Sequence, residues 1–223
     1  MHRDPLPGKK RYCGLTGSSD ALALSRLAAE LRPLAGEHRG LAVLTATALD
    51  AGRLLEEIAW FAPQLRACLL PDWETLPYDS FSPHHDLVSE RLATLYRIHR
   101  GDFDIVIVPT ATALVRMCPP SYLAAYTFFL RQGERLDGEA LRRQLALAGY
   151  SAVTQVMTPG EFCFRGGIVD LFPMGSALPY RLDLDDDLVE TIRTFDVDTQ
   201  RTLYAVKEVR LLPAREFPLD DAG

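Results

Sequence analysis

A chain of 223 residues, 48% of them hydrophobic, can build one large domain or two smaller ones, each around its own core. A net charge of −6, spread evenly over both halves, argues against a general nucleic-acid coat or a binder of anionic membranes. No apolar run is long enough to cross a bilayer, and Cys13, Cys68, Cys118 and Cys163 lie far apart with no C-x-x-C pair, which disfavours a zinc site or disulfide framework and suits reduced thiols in a cytoplasmic protein.

In chain order, residues 1–12 carry positive charge with no apolar core after them, and read as a mobile arm rather than a secretory signal. The stretch "GLTGSSDALALSRLA" (14–28) follows. It sets Gly14 and Gly17 ahead of a helix over 18–32, with Leu24, Leu27, Ala28 and Leu31 at helical spacing and Ser18, Ser19 and Asp20 available as caps. "GLAVLTAT" (40–47) predicts a buried strand, 48–61 a helix, and "RACLLP" (66–71) a second strand. The aromatic loop 72–85 leads to Ser82-Pro83, a cap with proline in the first turn, and a helix to about Arg100. "DIVIVPT" (104–110) is strongly β-branched, as suits a strand buried on both faces. Strands alternating with helices predict a parallel, helix-covered sheet over residues 1–117.

The pattern changes after "RMCPPSY" (116–122). A strand over 126–133 and a helix over 137–150 capped by Asp137 precede segments that are nearly all strand-like: 152–157, 161–173, 178–195 and 204–213. Asp185-Asp186-Asp187 stands between two alternating runs as a hairpin turn. Residues 118–213 therefore predict a smaller α+β domain with antiparallel strands, and 214–223 a linker.

Three stretches invite chemistry. The first resembles a phosphate-binding loop, G-x-x-x-x-G-K-[ST], whose backbone N–H groups wrap phosphates, whose lysine reaches the β/γ-phosphates and whose hydroxyl holds Mg²⁺. Counted from Gly14, Ser19 stands for the second glycine, Asp20 for the lysine and Ala21 for the hydroxyl residue, so the loop predicts no working ATPase. The alternative is a divergent phosphate-loop enzyme. His84-His85 with Asp79 and Asp86 lacks a third metal ligand at suitable spacing, and Asp183 to Asp187 lacks the twelve-residue calcium pattern. The third is a strand pair. "EFCFRGGIVDLFP" places Cys163 and Arg165 on one face and Phe162, Phe164, Ile168 and Asp170 on the other if it runs as one strand, although Gly166-Gly167 is a place for a bulge. "YRLDLDD" sets Arg181, Asp183 and Asp185 opposite Leu182 and Leu184. Arginines so placed serve a partner's carboxylates, or pair within the sheet with Asp170, Asp183 or Asp185.

The segments "PDWETLPYDSFSPHHDLVSERLATL", "FRGGIVDLFPMGSALPYRLDL" and "FDVDTQRTL" carry a family resemblance. Through them nearly the whole chain resembles the N-terminal, UvrB-like region of the bacterial transcription-repair coupling factors (Mfd). The resemblance implies that the loop at Gly14–Ala21 is a relic of UvrB's phosphate loop, and that a translocase motor using ATP and Mg²⁺, with contacts to RNA polymerase and DNA, belongs to regions beyond residue 223. It implies no cofactor and no catalysis for this segment, and a second domain that docks on UvrA. Carried over by position, Arg165 and Arg181 match arginines implicated in that docking. Asp185 stands where the family often carries an aromatic residue, so it replaces an apolar anchor. The stretch from Pro77 to Arg91 is too short for UvrB's DNA-clamping hairpin.

Overall fold

The computed structural model describes residues 12–31, 40–73 and 84–217. The expected N-terminal arm, except for Tyr12, and the Ser82-Pro83 helix start lie outside them. In chain order come α1 (Ser19–Leu31), β1 (Leu41–Thr45), α2 (Ala48–Phe61), β2 (Ala67–Leu69), α3 (His85–Arg100) and β3 (Ile105–Pro109). All three strands run parallel in the order β1-β3-β2, as the alternating pattern predicted. β3 is buried on both faces because its side chains alternate between two cores. Ile105 and Ile107 pack with Ala21, Ala28, Ala51, Leu54 and Ile58 of α1 and α2, while Val106 and Val108 pack with Leu92 and Leu95 of α3. Local chemistry sets the helix ends. The Thr47 hydroxyl accepts the Asp50 N–H at the start of α2, and Gly101, at φ 64, closes α3 in the left-handed conformation.

Two short helices follow, α4 (Thr110–Ala113) and α5 (Pro120–Ala125), then β4 (Phe128–Arg131) and α6 (Gly138–Leu147), where Asp137 accepts the N–H groups of Glu139 and Ala140 as the sequence predicted. α5 lies where the prolines suggested only a break; Pro120 sits in its first turn, where a missing N–H costs nothing. The remaining strands are β5 (Ser151–Ala152), β6 (Glu161–Arg165), β7 (Ile168–Phe172), β8 (Tyr180–Asp185), β9 (Leu188–Phe195), β10 (Thr202–Val206) and β11 (Glu208–Leu211). Six of them form one sheet, β10-β9-β8-β7-β6-β5, antiparallel except where β5 meets β6. β11 leaves that sheet to pair with β4, antiparallel, 77 residues back from Glu208 to Arg131.

Two expectations change here. The strand expected over 152–157 stops at Ala152, and the following loop folds over the sheet to bury Val156 against Cys163, Phe172 and Phe195. The strand expected over 161–173 is a hairpin, because Gly166 takes φ 58 and reverses the chain between β6 and β7.

The two halves share a core. Met174 and Leu212 pack with Leu92, Leu95, Val106, Cys118 and Leu123. Residues 212–217 strap the halves together. The Tyr150 hydroxyl donates to the Leu212 carbonyl (2.7 Å), the Tyr122 hydroxyl to that of Arg215 (3.2 Å), and Arg91 Nε and Nη2 to the Glu216 carboxylate (2.9 and 3.0 Å). The Arg91 and Glu216 side chains are fully buried, so the stretch expected as a linker begins inside the fold. Burial pushes the Tyr150 phenol well above its ordinary value and the Cys118 thiol up to about 11, both marks of a dry interior.

Candidate partner-docking face

The six-stranded sheet is apolar on one face, where Phe162, Val169, Leu171, Leu182 and Ile192 meet α6 through Leu141 and Leu145. Among the described residues, the loop carrying Val156 covers one end of its other face. The hairpin at Gly166–Gly167 decides what stands on the rest of that face. It pairs Cys163 with Asp170 and Arg165 with Ile168, so Asp170 shares the face of Arg165 rather than opposing it. Antiparallel pairing of β7 with β8 then sets Arg181 beside Asp170, and β9 sets Arg193 beside Arg181.

Asp170 is 1% exposed and binds both arginines. Arg181 donates from Nε (2.6 Å) and Nη2 (2.9 Å) to its two carboxylate oxygens, and from Nη1 to the Gln200 carbonyl (3.1 Å); its guanidinium also lies over the Phe195 ring at 4.8 Å. These contacts hold the Arg181 side chain at 16% exposure, and its hydrogen bonds to Asp170, then the charge of that carboxylate, raise the guanidinium's affinity for its proton. Arg165 gives Asp170 a short hydrogen bond from Nη2 alone and stays 48% exposed. Gln155, Ile168 and Gln200 join the two arginines around an open hollow of about 470 Å³. The Gln200 amide nitrogen bonds the Val197 and Val156 carbonyls (2.8 and 3.3 Å), which ties the turn after β9 to the covering loop. Asp185 lies on the same face, exposed at the end of β8 beside Leu188. Asp186 turns the chain at φ 54, and Asp187 is spent on Arg135 at 2.7 Å, so the acidic run forms the predicted hairpin turn.

The stretch resembling a phosphate loop is built differently from a working one. Gly14 (φ 74) and Gly17 (φ 56) are left-handed, as a tight turn needs, and Ser19 opens α1 with N–H and hydroxyl both on the Thr16 carbonyl. No strand among the described residues leads into this turn. The Asp20 carboxylate takes Arg53 of α2 through both oxygens (3.2 and 2.7 Å), and Arg53 also reaches Glu57 at 2.7 Å. Ala21 is fully buried against α2, where a metal-binding hydroxyl would have no opening to solvent. A degenerate phosphate-loop domain is therefore not established by this geometry.

Residues 128–217 match the family model of the UvrB interaction domain. Along its full length the chain is 48% identical to a transcription-repair-coupling factor of Escherichia coli, and over 92% of its length 45% identical to that of Haemophilus influenzae. Over 95% it is 34% identical to that of Myxococcus xanthus. This chain belongs to the UvrB-like region of the transcription-repair coupling factors. It spans about a fifth of the length of these relatives. Arg165, Arg181 and Asp185 all fall within the stretch matched to the UvrB interaction domain, and the turn at Gly14–Ala21 falls outside it. Sequence reasoning ranked Asp170 only among several carboxylates and passed over Gln200 altogether. The signal for Asp170 was the Gly166-Gly167 pair, which as a two-residue turn fixes the register that brings Asp170 to Arg165.

Proposed function

We propose that this segment of the coupling factor is a non-catalytic docking module that recruits UvrA in nucleotide excision repair. The single observation that carries the reading is the pair Arg165 and Arg181, held by Asp170 on one sheet face inside the region matched to the UvrB interaction domain. Planar guanidiniums in fixed orientation suit a protein partner's carboxylates and carbonyls. Asp185 stands at the rim and offers a charge rather than an apolar anchor. The turn at Gly14–Ala21 acts as a structural joint between α1 and α2, and no nucleotide or metal takes part in this segment's work. The longer protein's motor, with its ATP and Mg²⁺, its DNA and its RNA polymerase contact, belongs to other regions, and its setting is the cytoplasm.

Titrating UvrA against the 223-residue chain tests this. Arg165→Ala, at a half-exposed position, should weaken binding by about thirtyfold, the scale of an interfacial arginine, while the melting temperature stays close to that of the wild type. Unchanged affinity in folded Arg165→Ala would remove this face from the interaction.

A further inference from the structure

Resting on that reading, we propose that Asp170 is the positioning residue of the docking face. Its buried carboxylate orients both arginines and leaves one guanidinium edge, that of Arg165, for a carboxylate on the partner. Asp170 cannot itself touch a partner, since it is 1% exposed. Arg181 spends its Nε and Nη2 on Asp170 and its Nη1 on the Gln200 carbonyl, beneath the hollow. Arg165 spends only Nη2, so its Nε and Nη1 make no hydrogen bond among the described residues. Net charge does not single out this edge, because Arg165, Arg181 and the exposed Arg193 share the face with Glu161, Asp170, Asp183 and Asp185, and Asp183 also accepts the Thr191 hydroxyl, at 2.5 Å. An acidic side chain entering the hollow would meet the free edge of Arg165, with Ile168 to pack its methylenes. Two guanidiniums placed close together would swing apart without an anion between them, so the buried carboxylate supplies the geometry at no cost to the partner at the moment of binding.

The sign of one substitution separates this from simple electrostatics. Asp170→Asn removes a negative charge near an acidic partner, so a charge-only face would bind UvrA more tightly. A positioning role requires weaker binding, by about tenfold or more, in protein that melts cooperatively. In Asp170→Asn/Arg165→Ala the two losses should not add, because both act through the same guanidinium. Arg165→Lys covers the case in which Asp170→Asn fails to fold. It keeps the charge at a half-exposed position but cannot hold Asp170 and the partner at once through a fork, so about tenfold weaker binding is expected. Wild-type or tighter affinity in folded Asp170→Asn, or wild-type affinity in Arg165→Lys, overturns the inference. If Arg165→Ala alone abolishes binding while those variants do not, the docking reading survives and only the role of Asp170 falls. If Arg165→Ala has no effect either, both fall.

Discussion

Asp20 occupies the position at which a phosphate loop carries its lysine, and there it binds Arg53 through both carboxylate oxygens. That hydrogen bonding, against a smaller opposing effect of partial burial, holds the Asp20 carboxyl below the ordinary carboxylate range. A lowered folded value means that the pair's stabilisation is complete above the unfolded value, near pH 4, and disappears as the pH falls through the folded value. Thermal melts of wild type and Asp20→Asn should therefore differ at neutral pH and converge on acidification below about pH 4. A gap that stays constant down to pH 2 would mean that the carboxylate is not what joins α1 to α2. The gap should be small, since both partners are partly exposed and solvent screens them. The sequence shows directly that Ser19, Asp20 and Ala21 stand where a working phosphate loop carries glycine, lysine and a hydroxyl residue. It could not supply Arg53, because a partner 33 residues away is set by helix packing rather than by spacing.

The β6–β7 hairpin is the element on which the proposed docking face depends. A Cβ on Gly167 would stand 2.9 Å from the Leu184 carbonyl oxygen, and the same stretch of backbone is tied by a Leu184 N–H bond to the Gly167 carbonyl at 2.7 Å. Backbone on β8 cannot move without disturbing the pairing that brings Arg181 to Asp170. Gly167→Ala should destabilise the chain by roughly 1–3 kcal/mol, the cost of overpacking a fixed site, and should weaken UvrA binding even well below its melting temperature. A melting curve and titration matching the wild type would show that the hairpin tip tolerates the shift. Alternation and the acidic turn together located β8 and β9, because one of their faces packs on α6, but β6 and β7 read as a single strand. Alternation misplaced Asp170, since reading 161–173 as one regular strand rather than as two strands joined by a turn at Gly166-Gly167 puts every later side chain on the other face. The stretch 153–157 looked like a strand for a related reason. Val153 and Val156 are buried or half-buried against Phe172 and Phe195, but as a loop cover rather than as a paired strand.

Across the whole molecule, the two halves are joined more closely than the change of pattern after residue 117 suggested. Arg91 and Glu216 meet 125 residues apart in a fully buried pair, and Leu212 closes a core shared with α3. Removing one member of such a pair leaves a charge in a dry interior, a loss of about 3–5 kcal/mol, so cutting the chain near residue 117 would unmake the fold rather than separate two working parts. No local pattern announces such long-range pairing, and the β4–β11 ladder was invisible for the same reason. The central claim is therefore best tested on the intact chain, by amide hydrogen exchange with and without UvrA. Binding through the arginine face should slow exchange in residues 161–185 and in the turn at 196–201, leaving Ser19–Leu31 and Ala48–Phe61 unchanged. Protection confined to α1 and α2, with 161–185 exchanging as in the free chain, would contradict it.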